Sequence, residues 1–397
     1  MKFRIIEGDK KTDARAGELQ TKHGVIKTPA FMPVATKAAV KTLTSEDMQK
    51  LGAQILMCNT YHLNLKPGVK VIEKFRGLHK FINWDKPIIT DSAGFQSFSL
   101  GFGLEYGGGK IGSYFPEDNA PKKGGNVKKL AKVTDEGVRF NSIYDNRPML
   151  MTPEKSMKIQ EALGADIMIA FDECTSPYSD HKYTMQSLKR THLWAERCIK
   201  AHKTRQALSG VIQGGAYKDL RKESAEFISS LKFDMFAIGG SLGRSKKEMH
   251  NVLEWVMDEL PKKKAVHLLG IGTVEDIFES VERGIDLFDC VGPTRMARSG
   301  YAYISQKAGG TLKNKFRLKI SKQGFVYDKK PIDPYCGCFV CRNYSRAYIR
   351  HLFKANEMTA YSLTSYHNLY FFLALMRQIR ESIVKDEFLQ LKRAWLG

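Results

Sequence analysis

The sequence predicts an α/β protein, a (β/α)8 TIM barrel with a zinc-binding C-terminal subdomain. Three observations carry the barrel. Eight short apolar or β-branched runs recur between about residues 30 and 290, amphipathic stretches separate the later ones, and no Gly-rich dinucleotide fingerprint opens the first unit. Runs that are apolar throughout suit strands buried on both faces, as in a parallel sheet. In chain order they are Phe-Met-Pro-Val at 31–34, Gln-Ile-Leu-Met-Cys at 54–58, Pro-Ile-Ile-Thr at 87–90 and Asp-Ile-Met-Ile-Ala-Phe at 166–171. The later four are 208–212 around Val211-Ile212, Asp-Met-Phe-Ala-Ile at 234–238, Ala-Val-His-Leu-Leu at 265–269 and Ile-Asp-Leu-Phe at 285–288.

Helices between these runs have readable ends. Thr152-Pro153-Glu154 supplies an N-cap, a first-turn proline and an early acid, and Gly164 stands where a C-terminal cap belongs. Further helical patterns cover about 183–203, 217–231, 245–259 and 274–283. Residues 101–130, rich in Gly and Lys, interrupt the pattern as a long insertion after the third strand, on the face where barrel active sites sit. After residue 300, Lys313, Lys315, Arg317 and Lys319 alternate with Asn314, Phe316, Leu318 and Ile320, which predicts a strand with one basic face. The last fifty residues read as helices rich in aromatics. The expected division is a catalytic barrel over 1–300, including the N-terminal strands and the 101–130 insertion, and a zinc-binding helical region over 301–397.

Composition narrows the function. The chain has 397 residues with 43% hydrophobic and 26% charged content, which excludes disordered and collagen-like classes. It contains no stretch of eighteen apolar residues, and Met1-Lys2-Phe3-Arg4 lacks the apolar core of a signal peptide, so a cytoplasmic protein away from membranes is expected. Lys plus Arg number 63 against 42 Asp plus Glu, a formal charge of +21 that favours a polyanionic partner such as nucleic acid.

Cys336, Cys338 and Cys341 bring three thiols together within one turn-sized segment. With an imidazole they make a Cys3His set suited to structural zinc, which leaves no open coordination position for a catalytic water. The imidazole is His367 or, closer in sequence, His351. Cys58, Cys174, Cys198 and Cys290 lack metal spacing and read as buried small residues.

Barrel chemistry gathers at the C-terminal ends of the strands. Those ends carry Asn59, Asp91, Asp172-Glu173, Gln213-Gly-Gly, Gly239-Gly240, Gly270-Ile-Gly272 and Asp289. Convergent carboxylates suit acid–base chemistry or attack at a sugar C1′, and glycines let a flat ring approach the backbone.

At this point the sequence resembles the tRNA-guanine transglycosylase family along nearly its whole length. The matching segments are Cys-Asn-Thr-Tyr-His-Leu at 58–63, Thr-Asp-Ser-Ala-Gly-Phe-Gln at 90–96 and Met-Ile-Ala-Phe-Asp-Glu-Cys-Thr at 168–175. They continue with Val-Ile-Gln-Gly-Gly at 211–215, Ala-Ile-Gly-Gly at 237–240, Phe-Asp-Cys-Val-Gly-Pro-Thr-Arg at 288–295 and the Cys-x-Cys-x2-Cys cluster with His367.

The resemblance implies replacement of the wobble guanine of GUN-anticodon tRNAs by a 7-deazaguanine base in the queuosine pathway, with retention at the ribose. It implies Asp289 as the nucleophile at C1′ and Asp91 as general acid/base. Asp172 would bind the N1–H and amino edge of the base, Gln213 and the Gly239-Gly240 turn its carbonyl side, Phe95 would stack on it and Asn59 would support the pocket. Arg295 and Arg298 would hold phosphates of the tRNA anticodon stem-loop. Cys336, Cys338, Cys341 and His367 would bind Zn2+, and Tyr344, Tyr348 and His351 resemble the aromatic dimer contact of bacterial members, implying a homodimer.

Three positions depart from the family pattern. Ala93 replaces the usual glycine beside Asp91, and Gly239-Gly240-Ser241-Leu242-Gly243 is one residue shorter than the usual loop. That loop helps select the base substituent, so the incoming base is 7-aminomethyl-7-deazaguanine or queuine. The third departure is the 101–130 insertion. The alternatives to this reading are an archaeosine-type transglycosylase and a non-catalytic tRNA-binding accessory subunit, and the presence of both Asp91 and Asp289 disfavours the second.

Overall fold

A computed structural model describes residues 1–94, 131–142 and 144–397. Phe95 and the 101–130 segment lie outside the described residues. At the N-terminus β1 (Lys2–Gly8), β2 (Arg15–Thr21) and β3 (Gly24–Thr28) form a three-stranded sheet. The main sheet begins with β4 (Ala30–Met32), β5 (Val34–Ala35), β6 (Leu56–Cys58) and β7 (Ile88–Thr90). A separate antiparallel sheet follows, of β8 (Ala131–Val133), β9 (Val138–Asn141) and β10 (Pro148–Met151). The main sheet resumes with β11 (Ile167–Ile169), β12 (Ala207–Ile212), β13 (Met235–Ile238), β14 (Val266–Leu268) and β15 (Leu287–Asp289).

The main sheet has the order β4-β15-β14-β13-β12-β11-β7-β6-β5. Its two end strands are halves of one segment broken at Pro33, which has no N–H to give to a ladder. The order therefore returns to where it began, the strand sequence of a (β/α)8 barrel. Strands β6, β7 and β11 to β14 are buried at every residue, as the uninterrupted apolar runs require.

Two compact units make up the described chain, each treated on its own below. The first comprises residues 1–3, 20–24 and 57–269. It holds the parallel ladder in which β7 pairs with β11, β11 with β12, β12 with β13 and β13 with β14. Short helices α2 (Thr60–Leu65), α3 (Val69–Lys74) and α4 (Leu78–Phe81) follow β6; α1 (Ser45–Lys50) precedes it in the other unit. Next come α5 (Pro153–Leu163), α6 (His181–Ala201), α7 (Lys218–Ser230) and α8 (Lys246–Met257). Thr152 accepts the Lys155 amide at 3.2 Å and Gly164 takes φ +71, the caps read from the sequence.

The second unit comprises residues 4–19, 25–56 and 270–397. Here β15 runs parallel to β4 with Asp289 opposite Met32. It continues through α9 (Val274–Glu282), α10 (Gly292–Arg298), β16 (Tyr301–Tyr303) and β17 (Arg317–Lys319), then α11 (Phe339–Asn343), α12 (Arg346–Lys354), α13 (Thr359–Val384) and α14 (Phe388–Leu396).

The basic strand expected over 313–320 is shorter than its alternation suggests. Only Arg317–Lys319 pairs, with Tyr301–Tyr303. Asn314 bends the preceding residues by accepting the Thr311 amide at 2.9 Å and donating to the Gly309 carbonyl at 2.8 Å. Lys315 and Phe316 then take φ +54 and +55, and buried Phe316 packs on Trp395 with centroids 5.6 Å apart.

Candidate active site

In the first unit, Asp91 leaves the end of β7 with its amide bonded to the Cys58 carbonyl at 3.1 Å, which ties the ends of β6 and β7 together. One carboxylate oxygen accepts the Thr60 amide at 2.8 Å and the Ala93 amide at 3.3 Å. The other accepts a hydrogen bond from the Asn59 side-chain amide. Asn59 also caps α2, its Oδ1 accepting the His62 amide at 2.9 Å, so one side chain starts a helix and fixes a carboxylate. Ala93 takes φ +70, a left-handed conformation that glycine adopts freely and alanine does not.

Asp172, past the end of β11, is buried at 6% exposure. It accepts the Ser92 hydroxyl at 2.8 Å and the Gln213 amide nitrogen at 2.7 Å. Burial pushes its carboxyl above the ordinary value, and those two bonds act against that push. Gln213, 2% exposed, follows β12, and its Oε1 has no hydrogen-bond partner among the described residues. Gly240 lies against that oxygen: a Cβ there would stand 1.9 Å from Oε1, and the residue has φ +75. Gly239 approaches the same side chain, 3.2 Å from Gln213 Nε2 to a built Cβ. Asn59 with Asp91, and Ser92 with Asp172, Gln213, Gly239 and Gly240, are therefore brought together within this unit.

In the second unit Asp289 ends β15, half-buried, with Oδ1 accepting the Gly270 amide at 2.9 Å. Arg295 and Arg298 lie in the last turn of α10. Arg298 donates to the Thr294 carbonyl at 2.8 Å, and partial burial together with the neighbouring Arg295 charge lowers its pKa.

The same unit contains the cysteine cluster. Sγ of Cys336, Cys338 and Cys341 lie 3.8, 3.5 and 3.3 Å from Nδ1 of His367, and these four donors form a group able to hold a metal ion. Mutual hydrogen bonding pushes Cys338 well below and Cys341 well above the ordinary thiol value, whereas a divalent cation would let all three ionise. His367 Nε2 bonds the Tyr303 carbonyl at 2.6 Å, the outer contact that orients a ligating imidazole. His351 is exposed on α12 and is not among the four. Cys58, Cys174 and Cys198 are buried and Cys290 half-buried, and burial pushes Cys58 and Cys198 up to about 12.

His23, His79 and Asp166 form a second cluster, in the first unit. The rings stack with centroids 3.7 Å apart and planes 23° apart, so no point at bonding distance lies in both ring planes. The trio is a hydrogen-bonded node. His23 Nδ1 and His79 Nε2 sit 2.8 and 3.1 Å from the two carboxylate oxygens, and the Ile88 amide donates at 3.0 Å. Burial raises the Asp166 carboxyl, but these bonds outweigh it and hold the group at about 2.

Ser92, Thr60 and Arg221 are partners of the strand-end residues, and sequence reasoning does not single them out. Arg221 had a signal: it stands with Ser224, Ala225 and Ile228 on the buried stripe of an amphipathic helix, where a cation is out of place.

Comparison with known proteins identifies the family. A family profile described as "Queuine tRNA-ribosyltransferase" matches residues 9–397. A chain from Archaeoglobus fulgidus is 51% identical over 388 residues, 96% of each chain. The queuine tRNA-ribosyltransferase of Thermoanaerobacter pseudethanolicus is 45% identical over 396 residues, covering 99% of this chain and 96% of its own. That of Caldanaerobacter subterraneus subsp. tengcongensis is 45% identical over 399 residues, covering 100% and 97%. The chain belongs to the queuine tRNA-ribosyltransferase family, the tRNA-guanine transglycosylases, which are pentosyltransferases.

Proposed function

We propose that this chain exchanges the wobble guanine of GUN-anticodon tRNAs for a 7-deazaguanine base, through a covalent aspartyl-ribose intermediate. The observation that best supports this is Asp172, a buried carboxylate that among the described residues accepts from the neutral Ser92 and Gln213 donors, beside Gln213 Oε1, which has no partner among those residues. The N1–H and amino edge of a guanine offers two donors to such a carboxylate. In this reading the base takes the place of the Gln213 amide at Asp172, which frees Nε2 to turn, with the Gly240 amide, to the base carbonyl. Phe95 stacks on the ring.

In the first displacement an Asp289 oxygen bonds to C1′ while the C1′–N9 bond breaks, and Asp91 gives the departing guanine its proton. Asp91 then takes the proton of the incoming base, whose nitrogen displaces the Asp289 carboxylate. Two inversions give retention. The Asn59, Thr60 and Ala93 donors fix Asp91 for both transfers. The target nucleotide must leave its stack, and Arg295 and Arg298, two adjacent cations on one helix, hold the flanking phosphates.

The metal in this reading is Zn2+. Tetrahedral zinc with bonds of about 2.3 Å to sulfur and about 2.1 Å to nitrogen separates S and N by roughly 3.6 Å, close to the spacings of the cluster. Four protein donors leave it a structural role, stapling residues 301–397 to one another while the 1–300 barrel carries the chemistry. Tyr344 and Tyr348 stack at 5.4 Å, with Tyr348 42% exposed and His351 also exposed, as a homodimer contact requires. Among the described residues no helix is long and apolar enough to cross a membrane, and a tRNA substrate suits the cytoplasm.

The test is exchange of radiolabelled guanine into a GUN-anticodon tRNA. Wild-type protein should incorporate label and Asp289→Asn should not. An inactive wild type would remove the function, and an active Asp289→Asn would remove the nucleophile. Competition between 7-aminomethyl-7-deazaguanine and queuine then identifies the incoming base.

A further inference from the structure

Arg221 is fully buried in the first turn of α7, yet its hydrogen bonds go to backbone carbonyls. Nε donates to Gly215 at 2.7 Å and Nη1 to Ile212 at 2.9 Å, while Nη2 donates to Gly239 at 3.1 Å and Ser241 at 2.8 Å. Burying a cation is costly, and the N-terminal end of a helix dipole opposes it further. Burial lowers its pKa to about 9, so the guanidinium still holds its proton at neutral pH. Its hydrogen bonds to these carbonyls act against that cost. The four carbonyls, however, belong to the two turns that follow β12 and β13, which carry Gln213 on one side and Gly239-Gly240 on the other. Three residues along the helix, the Ser224 hydroxyl accepts the Gln213 amide at 3.2 Å.

We infer that Arg221, assisted by Ser224, is a positioning residue that clamps these two turns together and so sets how the site recognises its base. This rests on the proposed function, because it assigns Gln213 and Gly240 to the base. The planar guanidinium reaches carbonyls of both turns at once. A lysine ammonium at the same place has fewer donors and no fork, so the turns would be free to separate. Ser241 is the third residue of the loop that faces the substituent of the base in this reading, so the clamp bears on base choice as well as affinity.

The experiment compares wild type with Arg221→Lys in label exchange, with the KM for guanine and for tRNA measured separately. The KM for guanine should rise about tenfold or more, with the KM for tRNA within about twofold of wild type. Hydrogen exchange at amides of 213–215 and 239–243 should become about tenfold faster, with little change elsewhere. Unchanged guanine KM, or equal rises in both KM values together with general loss of protection, would overturn the inference. If Arg221→Lys does not fold, Ser224→Ala should raise the guanine KM a few-fold and speed exchange at the Gln213 amide, and no change in either would also overturn it. Should wild-type protein exchange no base, the proposed function fails, while the hydrogen-exchange comparison still decides whether the clamp exists.

Discussion

Replacing Gly240 by alanine would set a methyl group against Gln213, the residue proposed to read the base. The added Cβ would lie 1.9 Å from Gln213 Oε1 and 2.9 Å from its Cδ. To reach ordinary contact at 3.4 Å the oxygen must retreat by about 1.5 Å. Gln213 has little room to do so, since it is 2% exposed and its amide is held by Ser224. A retreat of that size breaks the 2.7 Å bond from Nε2 to Asp172 and carries the same donor away from the base carbonyl. In the proposed complex the base has replaced that amide at Asp172, so what is lost is the donor to the base carbonyl; a buried acceptor left unpaired costs about 1–3 kcal/mol, and kcat/KM for the base should fall by roughly 5- to 150-fold. Separately, φ +75 at a residue with a Cβ costs about 1–2 kcal/mol of stability, visible as a lower Tm. The assay is initial-rate incorporation of labelled guanine at saturating tRNA, with KM for tRNA as the control. A Gly240→Ala protein whose kcat/KM for guanine stays within about threefold of wild type would refute the placement of Gln213 beside the base.

His367→Ala should lower bound zinc, measured by elemental analysis, and reduce thermal stability; full zinc content would return the fourth ligand to another residue. Ala93→Gly should be neutral or stabilising by up to about 1 kcal/mol, because glycine relieves the φ +70 conformation at some entropic cost; a larger loss in urea melts would contradict that strain. Asp166 has a folded-state pKa of about 2 against an ordinary 3.8, so its contribution is present above about pH 4 and is lost as pH falls towards 2. Urea melts should show Asp166→Asn destabilised by about 2 kcal/mol relative to wild type at pH 5, with the gap closing near pH 2; a gap that persists there would contradict the linkage.

Much of this architecture could be read from the chain because buried parallel strands leave an unambiguous trace. Seven of the eight apolar runs became single strands within a few residues of their expected ends, the first was split at Pro33 into β4 and β5, and Thr152, Pro153 and Gly164 marked α5 through local chemistry alone. The antiparallel sheet of β8 to β10 was missed, although Val138-Arg139-Phe140-Asn141 alternates buried and exposed in the period of a half-buried strand. The alternation at 313–319 misled for the opposite reason: Asn314 offered the backbone a turn, and burial of Phe316 against Trp395 overrode the strand period. Candidate residues of the site were legible where the proposed chemistry needs an acid, an amide or a glycine at a strand end. Their supports were harder to see, since Ser92 and Thr60 act through hydroxyl and backbone hydrogen bonds that no periodicity announces. Arg221 acts on carbonyls, which every residue has, so only its place on an apolar stripe betrays it.

The covalent step is tested most directly by mixing enzyme with a GUN-anticodon tRNA in the absence of a competing free base and resolving the mixture on a denaturing gel. Wild-type protein should yield a band carrying both enzyme and RNA, and digestion followed by mass spectrometry should place the ribose on the peptide containing Asp289. Adding excess guanine should dissolve the band. Asp289→Asn should give no adduct. An adduct on any other residue, or one that forms undiminished with Asp289→Asn, would contradict the assignment of Asp289 as the nucleophile.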